Sequence, residues 1–217
     1  MLKVNEIFLS IQGEGKFTGY PSFFIRLFGC NLKCSFCDSM YANTDNNYTE
    51  YDVKELAEKI NSLYQQNKFV HLVITGGEPL LQMNELKELF KLINKEIFIE
   101  IETNGSIKPD FKDIPNTIQY NISPKLQFDY KIKNICHTFD IIYKFVDDGT
   151  KECRERIEKF VSEYDAINRS MIYIMPEGKT IDEQEKKYLN TVKYCMEKGF
   201  IYCHRVHISL WNGKKGV

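Results

Sequence analysis

Three cysteines in the eight-residue run Cys30-Asn31-Leu32-Lys33-Cys34-Ser35-Phe36-Cys37, separated by three and then two residues, constrain this chain more than any other stretch. A closed zinc site and a fully ligated iron–sulfur cluster each take four protein ligands. Three thiolates on one loop can hold three irons of a 4Fe-4S cluster and leave the fourth iron open to an outside ligand. The alternatives are zinc with a fourth ligand from elsewhere, or three unrelated core thiols. Structural zinc usually shows a second Cys or His pair at similar spacing, which favours the cluster.

The chain has 217 residues, 43% hydrophobic and 27% charged, with a net charge of −1. Such a chain can bury a sizeable core without disulfides. No global basic field draws it to nucleic acid, and no apolar run approaches the roughly 18 residues of a membrane span. Met1-Leu2-Lys3 leads straight into strand-like sequence, with no signal peptide. Seven cysteines, three of them crowded, suit a reducing cytoplasm better than a disulfide framework. No linker or repeat divides the chain, so residues 1–217 read as a single domain.

Apolar patterning alternates between the strand and helix periods. Strands are expected at Val4–Ile11, Ser22–Phe28, Phe69–Thr75, Glu96–Ile101, Thr117–Ile122, Asp140–Val146, Met171–Met175 and Ile201–Leu210. Phe69–Thr75 is nearly continuous in apolar residues, as in a parallel strand buried on both faces. Helices are expected at Tyr51–Gln66 with Thr49 as N-cap, at Asn84–Asn94 with Asn84 as N-cap, and at Thr150–Tyr164. A last helix, Thr180–Lys198, opens with a Thr180/Glu183 capping box and is expected to bury Tyr188, Leu189, Val192, Cys195 and Met196. Residues 40–50 read as a surface loop, and 126–139 show only weak helical periodicity. With a crossover helix missing there and fewer than the roughly 250 residues of an eight-unit barrel, the fold class is α/β, an incomplete, open (β/α) barrel.

Loops at the strand ends then converge on one face. Gln12-Gly13-Glu14-Gly15 is a polar turn whose amide and carboxylate suit a planar heterocycle, or it is a plain hairpin turn. Arg26 stands inside an apolar strand, either in a structural ion pair or as a carboxylate clamp. Asp38-Ser39 offers oxygen ligands for magnesium or a ribose, or caps a turn. Thr75-Gly76-Gly77-Glu78-Pro79 lets strand carbonyls and a carboxylate approach an ammonium group. Glu102-Thr103-Asn104-Gly105, Ser123-Pro124-Lys125 and Glu177 end later strands at the same face. His71 reads as structural. The tail at 211–217 holds the only tryptophan and is expected to fold over the barrel mouth, bringing the Val217 carboxylate to a ligand or metal.

The Cys30/Cys34/Cys37 spacing with Phe36 before the last cysteine, followed by Gly76-Gly77-Glu78-Pro79, resembles the radical S-adenosylmethionine (SAM) enzymes. Within them the chain is most similar to the 7-carboxy-7-deazaguanine synthase family, and nearly throughout. The likeness rests on Ile11-Gln-Gly-Glu-Gly, Phe24-Ile-Arg-Leu, Cys37-Asp-Ser, Thr75-Gly-Gly-Glu-Pro, Glu102-Thr-Asn-Gly, Ser123-Pro-Lys and the Trp211-Asn-Gly-Lys-Lys-Gly-Val ending.

That resemblance implies a radical SAM fold and a ring contraction of 6-carboxy-5,6,7,8-tetrahydropterin to 7-carboxy-7-deazaguanine with loss of ammonia, on the way to queuosine in tRNA. It implies a 4Fe-4S cluster on Cys30, Cys34 and Cys37. SAM would lie along Phe36, Cys37, Asp38, Gly76, Gly77, Glu78, Thr103, Ser123, Pro124, Lys125 and Glu177. The pterin would meet Gln12, Gly13, Glu14, Arg26, Thr75 and Val217. Magnesium would take Ser39, where many relatives carry threonine. It also implies a cytoplasmic homodimer reduced by a flavodoxin or ferredoxin, with no direct contact to nucleic acid or membrane. A glycyl-radical activase shares the cluster motif, but acts on a protein backbone and leaves the polar turn unexplained.

Overall fold

The computed structural model describes residues 1–35, 37, 39–43, 47–67, 71–128, 132, 140–164, 167–214 and 216–217. It opens with an antiparallel pair, β1 (Leu2–Ile11) and β2 (Pro21–Leu27), joined through the glycine-bracketed turn. A short strand, β3 (Thr49–Tyr51), lies antiparallel on the far side of β1. From β2 onward each neighbour is parallel, through β4 (His71–Gly76), β5 (Ile99–Thr103), β6 (Ile118–Ile122), β7 (Asp140–Asp147), β8 (Ile172–Pro176) and β9 (Ile201–Tyr202). The sheet order is β3-β1-β2-β4-β5-β6-β7-β8-β9, so β3 and β9 are edges and the barrel is open, as expected.

Helices α1 (Val53–Gln66) and α2 (Met83–Leu92) cover one side of this sheet. Leu56, Ile60, Leu86, Leu89 and Phe90 pack against Phe23, Ile25, Leu72, Ile74, Ile99 and Ile101. Beyond β6 a second cluster joins Phe145, Ile172 and Ile174 to Ile157, Phe160, Tyr194 and Cys195 of α3 (Lys151–Glu163) and α5 (Tyr188–Lys198). Each fully buried side chain of this kind contributes about 1.5–3 kcal/mol. Stability therefore resides on the helix-covered face. Strand side chains alternate, so the opposite face is free to be polar, and it carries Glu100, Glu102, Gln119, Asn121 and Lys144.

Several local expectations are corrected. Asp52, not Thr49, caps α1, its carboxylate accepting from Lys54 N and Glu55 N, while Thr49 lies in β3. A 3-10 turn, Pro79–Gln82, precedes α2, so Asn84 lies inside the helix. Residues 40–50 hold a 3-10 turn, Met40–Asn43, and most of β3. Thr180 does cap a helix, but the segment breaks into α4 (Ile181–Glu185) and α5. The break turns Thr191, Tyr194 and Cys195 inward and leaves Leu189 77% and Met196 79% exposed. The last expected strand stops after Tyr202, and Val206–Trp211 forms α6. The weakly periodic segment 126–139 falls mostly outside the described residues. No described helix is long and apolar enough to cross a membrane.

Candidate active site

A cleft of about 1130 Å³ opens at the C-terminal ends of the parallel strands. One end is built from the cysteine loop. Cys30, Cys34, Cys37 and Ser39 line it. The loop is held by backbone from both sides. Gly77 N donates to Leu27 O and Glu78 N to Gly29 O, at 3.3 and 2.8 Å. Asn104 Nδ2 donates to Asn31 Oδ1 at 3.0 Å, and Asn31 Nδ2 to Ser106 Oγ at 2.8 Å. A Cβ on Gly77 would lie 2.1 Å from Gly29 O, so only glycine permits this approach.

Cys30, Cys34 and Cys37 line one end of the cleft together, and three thiols on one loop suit an iron–sulfur cluster that leaves one iron open to another ligand. Burial raises the Cys30 thiol above its ordinary range, with the Glu78 and Cys37 charges adding to the effect. A bound cation cluster reverses that balance by favouring the thiolate.

Glu78 sits just behind the lining, 1% exposed. Its Oε1 accepts from Leu80 N and Thr103 Oγ1, at 3.0 and 2.8 Å, and its Oε2 from Asn104 N at 2.7 Å. Burial raises this carboxyl although those donors pull it down. Glu78 thus ties the β4 end to the β5 end and adds negative charge beneath the cofactor side of the cleft.

The other end is a polar floor. Lys144 of β7, buried, bridges two carboxylates, Glu102 Oε2 at 2.6 Å and Glu14 Oε2 at 2.8 Å. Glu14 Oε1 also accepts from Arg205 Nε at 2.7 Å. Burial pushes Glu14 up, but Lys144, Arg205 and His207 outweigh it and hold this carboxyl well below the usual range. Glu102 is raised, by burial first and by its neighbours Glu100 and Glu14, against the pull of Lys144. The same two anions raise Lys144 above an ordinary lysine in spite of its burial.

This floor is closed by the two ends of the chain. Gly13 O accepts from Val206 N at 3.0 Å, and Gly15 N donates to Cys203 Sγ at 3.1 Å. A Cβ on Gly13 would meet His207 Nδ1 at 2.2 Å. The first turn therefore seats directly on the segment that leads into α6, across the side where the sheet has no ladder.

The sequence-expected residues Gln12, Gly13, Glu14, Arg26, Thr75, Gly76, Gly77, Thr103, Ser123, Pro124, Lys125, Glu177 and Val217 all line this one cleft with the cysteines. Phe36 and Asp38 lie outside the described residues. Gln12 turns its amide into the floor, donating to Glu100 Oε1 at 2.8 Å and accepting from Glu14 N at 3.2 Å. Arg26 Nε donates to Glu6 Oε1 at 2.5 Å, so the ion-pair reading of Arg26 holds, while the side chain still borders the cleft. Above it Phe8 and Phe24 stack at 4.9 Å and 3° as an apolar wall. Gly213, Lys214 and Gly216 of the tail line the mouth.

Sequence reasoning placed Glu102 at this face without giving it a role, and missed Lys144, Arg205, His207 and, one layer down, Glu100 and Asn121. A signal was there. Ile99-Glu-Ile-Glu and Ile118-Gln-Tyr-Asn-Ile put polar residues at every second position of strands otherwise buried.

Residues 24–210 match the Radical SAM superfamily. A 7-carboxy-7-deazaguanine synthase from Halobacterium salinarum is 31% identical, covering 97% of this chain and 91% of the relative. One from Pyrobaculum aerophilum is 32% identical, over 99% of this chain and 97% of the relative. The crystal structure of QueE from Escherichia coli superposes with a TM-score of 0.73 over 95% of this chain and 94% of that one, at 23% identity.

Proposed function

The chain belongs to the radical SAM superfamily and, within it, to the 7-carboxy-7-deazaguanine synthases, and from that premise we propose that it converts 6-carboxy-5,6,7,8-tetrahydropterin to 7-carboxy-7-deazaguanine, releasing ammonia, in this cleft. The observation that carries the reading is the pairing of two unlike ends in one cavity. Three cysteines stand at one end, and a carboxylate–lysine floor at the other. Cys30, Cys34 and Cys37 would hold a 4Fe-4S cluster, which together with SAM would supply the 5'-deoxyadenosyl radical chemistry.

The chain's own residues bind, orient and exclude water. Gly76, Gly77 and Thr103, with Glu78 beneath them, suit the ammonium end of SAM, because strand-end carbonyls and a buried anion favour a cation there. Ser123, Pro124, Lys125 and Glu177 border the rest of that side, with Phe36 and Asp38 assigned to it from sequence. Glu14 and Glu102 suit the N–H edge of a pterin, since a carboxylate accepts two parallel hydrogen bonds. The Phe8–Phe24 wall suits its ring, and Arg26, Thr75 and the Val217 end its carboxylate side. Enclosure matters because a carbon radical must meet its target C–H in position and away from water.

Finer assignments extend the same reading. Ser39 is the magnesium ligand, a serine oxygen that turns more freely than threonine's. A flavodoxin or ferredoxin supplies the electron, and the enzyme is a cytoplasmic homodimer serving queuosine synthesis for tRNA. The test is an anaerobic assay of the reconstituted enzyme with dithionite, SAM, magnesium and the tetrahydropterin, followed by mass spectrometry. Deazapurine accumulating well beyond 5'-deoxyadenosine supports synthesis with SAM regenerated. 5'-Deoxyadenosine with intact pterin would sink the substrate assignment.

A further inference from the structure

We infer that His71 and Glu100 form a buried hydrogen-bonded pair beneath the site, whose task is to position Gln12 and Glu102 for the substrate; the inference rests on the site reading above. Glu100 is fully buried in β5, two residues before Glu102 and on the same face. Its Oε1 accepts from Gln12 Nε2 at 2.8 Å and from Asn121 Nδ2. Those same amide nitrogens reach Glu102 Oε1, at 3.4 and 2.9 Å. Each amide is held from its other end. Gln12 Oε1 accepts from Glu14 N at 3.2 Å, and Asn121 Oδ1 from Gln119 Nε2 at 2.9 Å. Both nitrogens are thereby committed to face the two carboxylates.

Glu100 Oε2 has no donor among the described residues, and neither does His71 Nδ1 have a partner. The two atoms are 3.6 Å apart. A carboxylate only accepts, and an imidazole nitrogen without hydrogen also only accepts. Two buried acceptors left facing each other would both be unsatisfied, whereas one proton on the Nδ1–Oε2 line satisfies both. The ring has little freedom to leave. It stacks between Tyr20 and Phe98, each 4.8 Å away, with Phe17 edge-on at 4.7 Å.

The consequence reaches the cleft. A donor at Oε2 fixes the orientation of the Glu100 carboxylate, so Oε1 stays a double acceptor and the two amides stay aimed. The charged and titratable groups facing this floor are Glu102 on the same strand, His71 from β4, Glu14 from the first turn, Lys144 from β7, and Arg205 and His207 beyond Glu14. Lys144 serves Glu102 and Glu14, leaving His71 as the donor for Glu100. Without it, Oε2 is left buried with no donor, the carboxylate turns to share the amide donors now on Oε1, and Gln12 and Glu102 lose their alignment.

His71→Phe keeps the ring stack and removes the donor. His71→Asn keeps a donor near the Nδ1 position. Glu100→Gln removes the need for one. In reconstituted full-length enzyme, His71→Phe should raise the pterin KM about tenfold, the loss expected for one hydrogen bond to a charged group. Iron content and pterin-free 5'-deoxyadenosine formation should not change. His71→Asn should recover most of the loss, and His71→Phe with Glu100→Gln should be no worse than Glu100→Gln alone. A wild-type KM in His71→Phe, or additive losses in the double variant, would overturn the positioning role. Proton NMR of 15N-histidine-labelled wild-type enzyme, cluster oxidised, supplies a readout that needs no substrate. A protected His71 Nδ1–H signal that disappears in Glu100→Gln supports the pair even if the pterin is not the substrate, and its absence from wild type refutes it.

Discussion

The two ends of the cleft are built by different means. The cysteine end is made of short contiguous segments held by backbone. Glu78 N and Gly77 N bond to Gly29 O and Leu27 O, and a glycine stands wherever two backbones nearly touch. The floor is made of single side chains from distant parts of the chain. Glu14 and Arg205, 191 residues apart, meet at 2.7 Å, and Glu14 and Lys144, 130 apart, at 2.8 Å. Contiguous segments move with their loop, whereas a dispersed network depends on every strand keeping its register. The cofactor end should therefore fail locally, and the floor should fail together with the fold around it.

Removing a cysteine breaks the first end alone. Cys34→Ala should abolish turnover and lose most of the iron, while thermal unfolding of the cluster-free protein stays near wild type. Lys144→Met should do the reverse, leaving Glu14 and Glu102 buried without their shared cation. Breaking a buried pair in this way costs about 3–5 kcal/mol, a melting temperature roughly 10 °C lower in a chain of this size, with iron still bound. Gly77→Ala sharpens the backbone argument. The added methyl must displace Gly29 O, so overpacking of about 1–3 kcal/mol should weaken SAM binding about tenfold or more by equilibrium dialysis, with little change in pterin-site variants' behaviour.

A pH series separates the floor's charges. Because Glu14 titrates below its unfolded value, the unfolded chain takes the proton first as pH falls. Its contribution is complete above about pH 4.3 and drains away as pH falls from there through the folded value. The melting-temperature gap between wild type and Glu14→Gln should thus be widest above pH 5 and narrow toward pH 3. An unchanged gap would contradict the charge balance. At the small end, Lys151→Ala removes an exposed partner of Glu155 and should cost no more than about 0.5 kcal/mol, without effect at either end of the cleft.

The same difference decides what was legible in the sequence. The cysteine spacing, Gly76-Gly77-Glu78-Pro79 and the apolar strands announce themselves locally, and the open barrel and its one-sided site follow from them. Thr180 was readable as a cap from its own first turn, whereas Thr49 and Asn84 were not caps because a strand and a 3-10 turn occupy the residues around them. The floor was not, since Lys144 in Ile141-Ile-Tyr-Lys looks like an isolated charge until β5 and the first turn supply its anions. The segment after Tyr202 keeps an apolar pattern readable as strand. It bends instead, because Arg205 must reach Glu14 and Gly178 O, at 2.7 and 2.9 Å. The face of α5 was misjudged for a related reason, since the break after Glu185 resets its rotation.

The most direct test of the separation between the two ends is Glu102→Gln, close to isosteric and remote from the cysteines in the chain. The measurement is reductive SAM cleavage and pterin turnover, made side by side on the same reconstituted sample. The account predicts full iron, 5'-deoxyadenosine formed at the wild-type pterin-free rate, and deazapurine formation reduced at least a hundredfold. Loss of both reactions together, or deazapurine made at the wild-type rate, would contradict it.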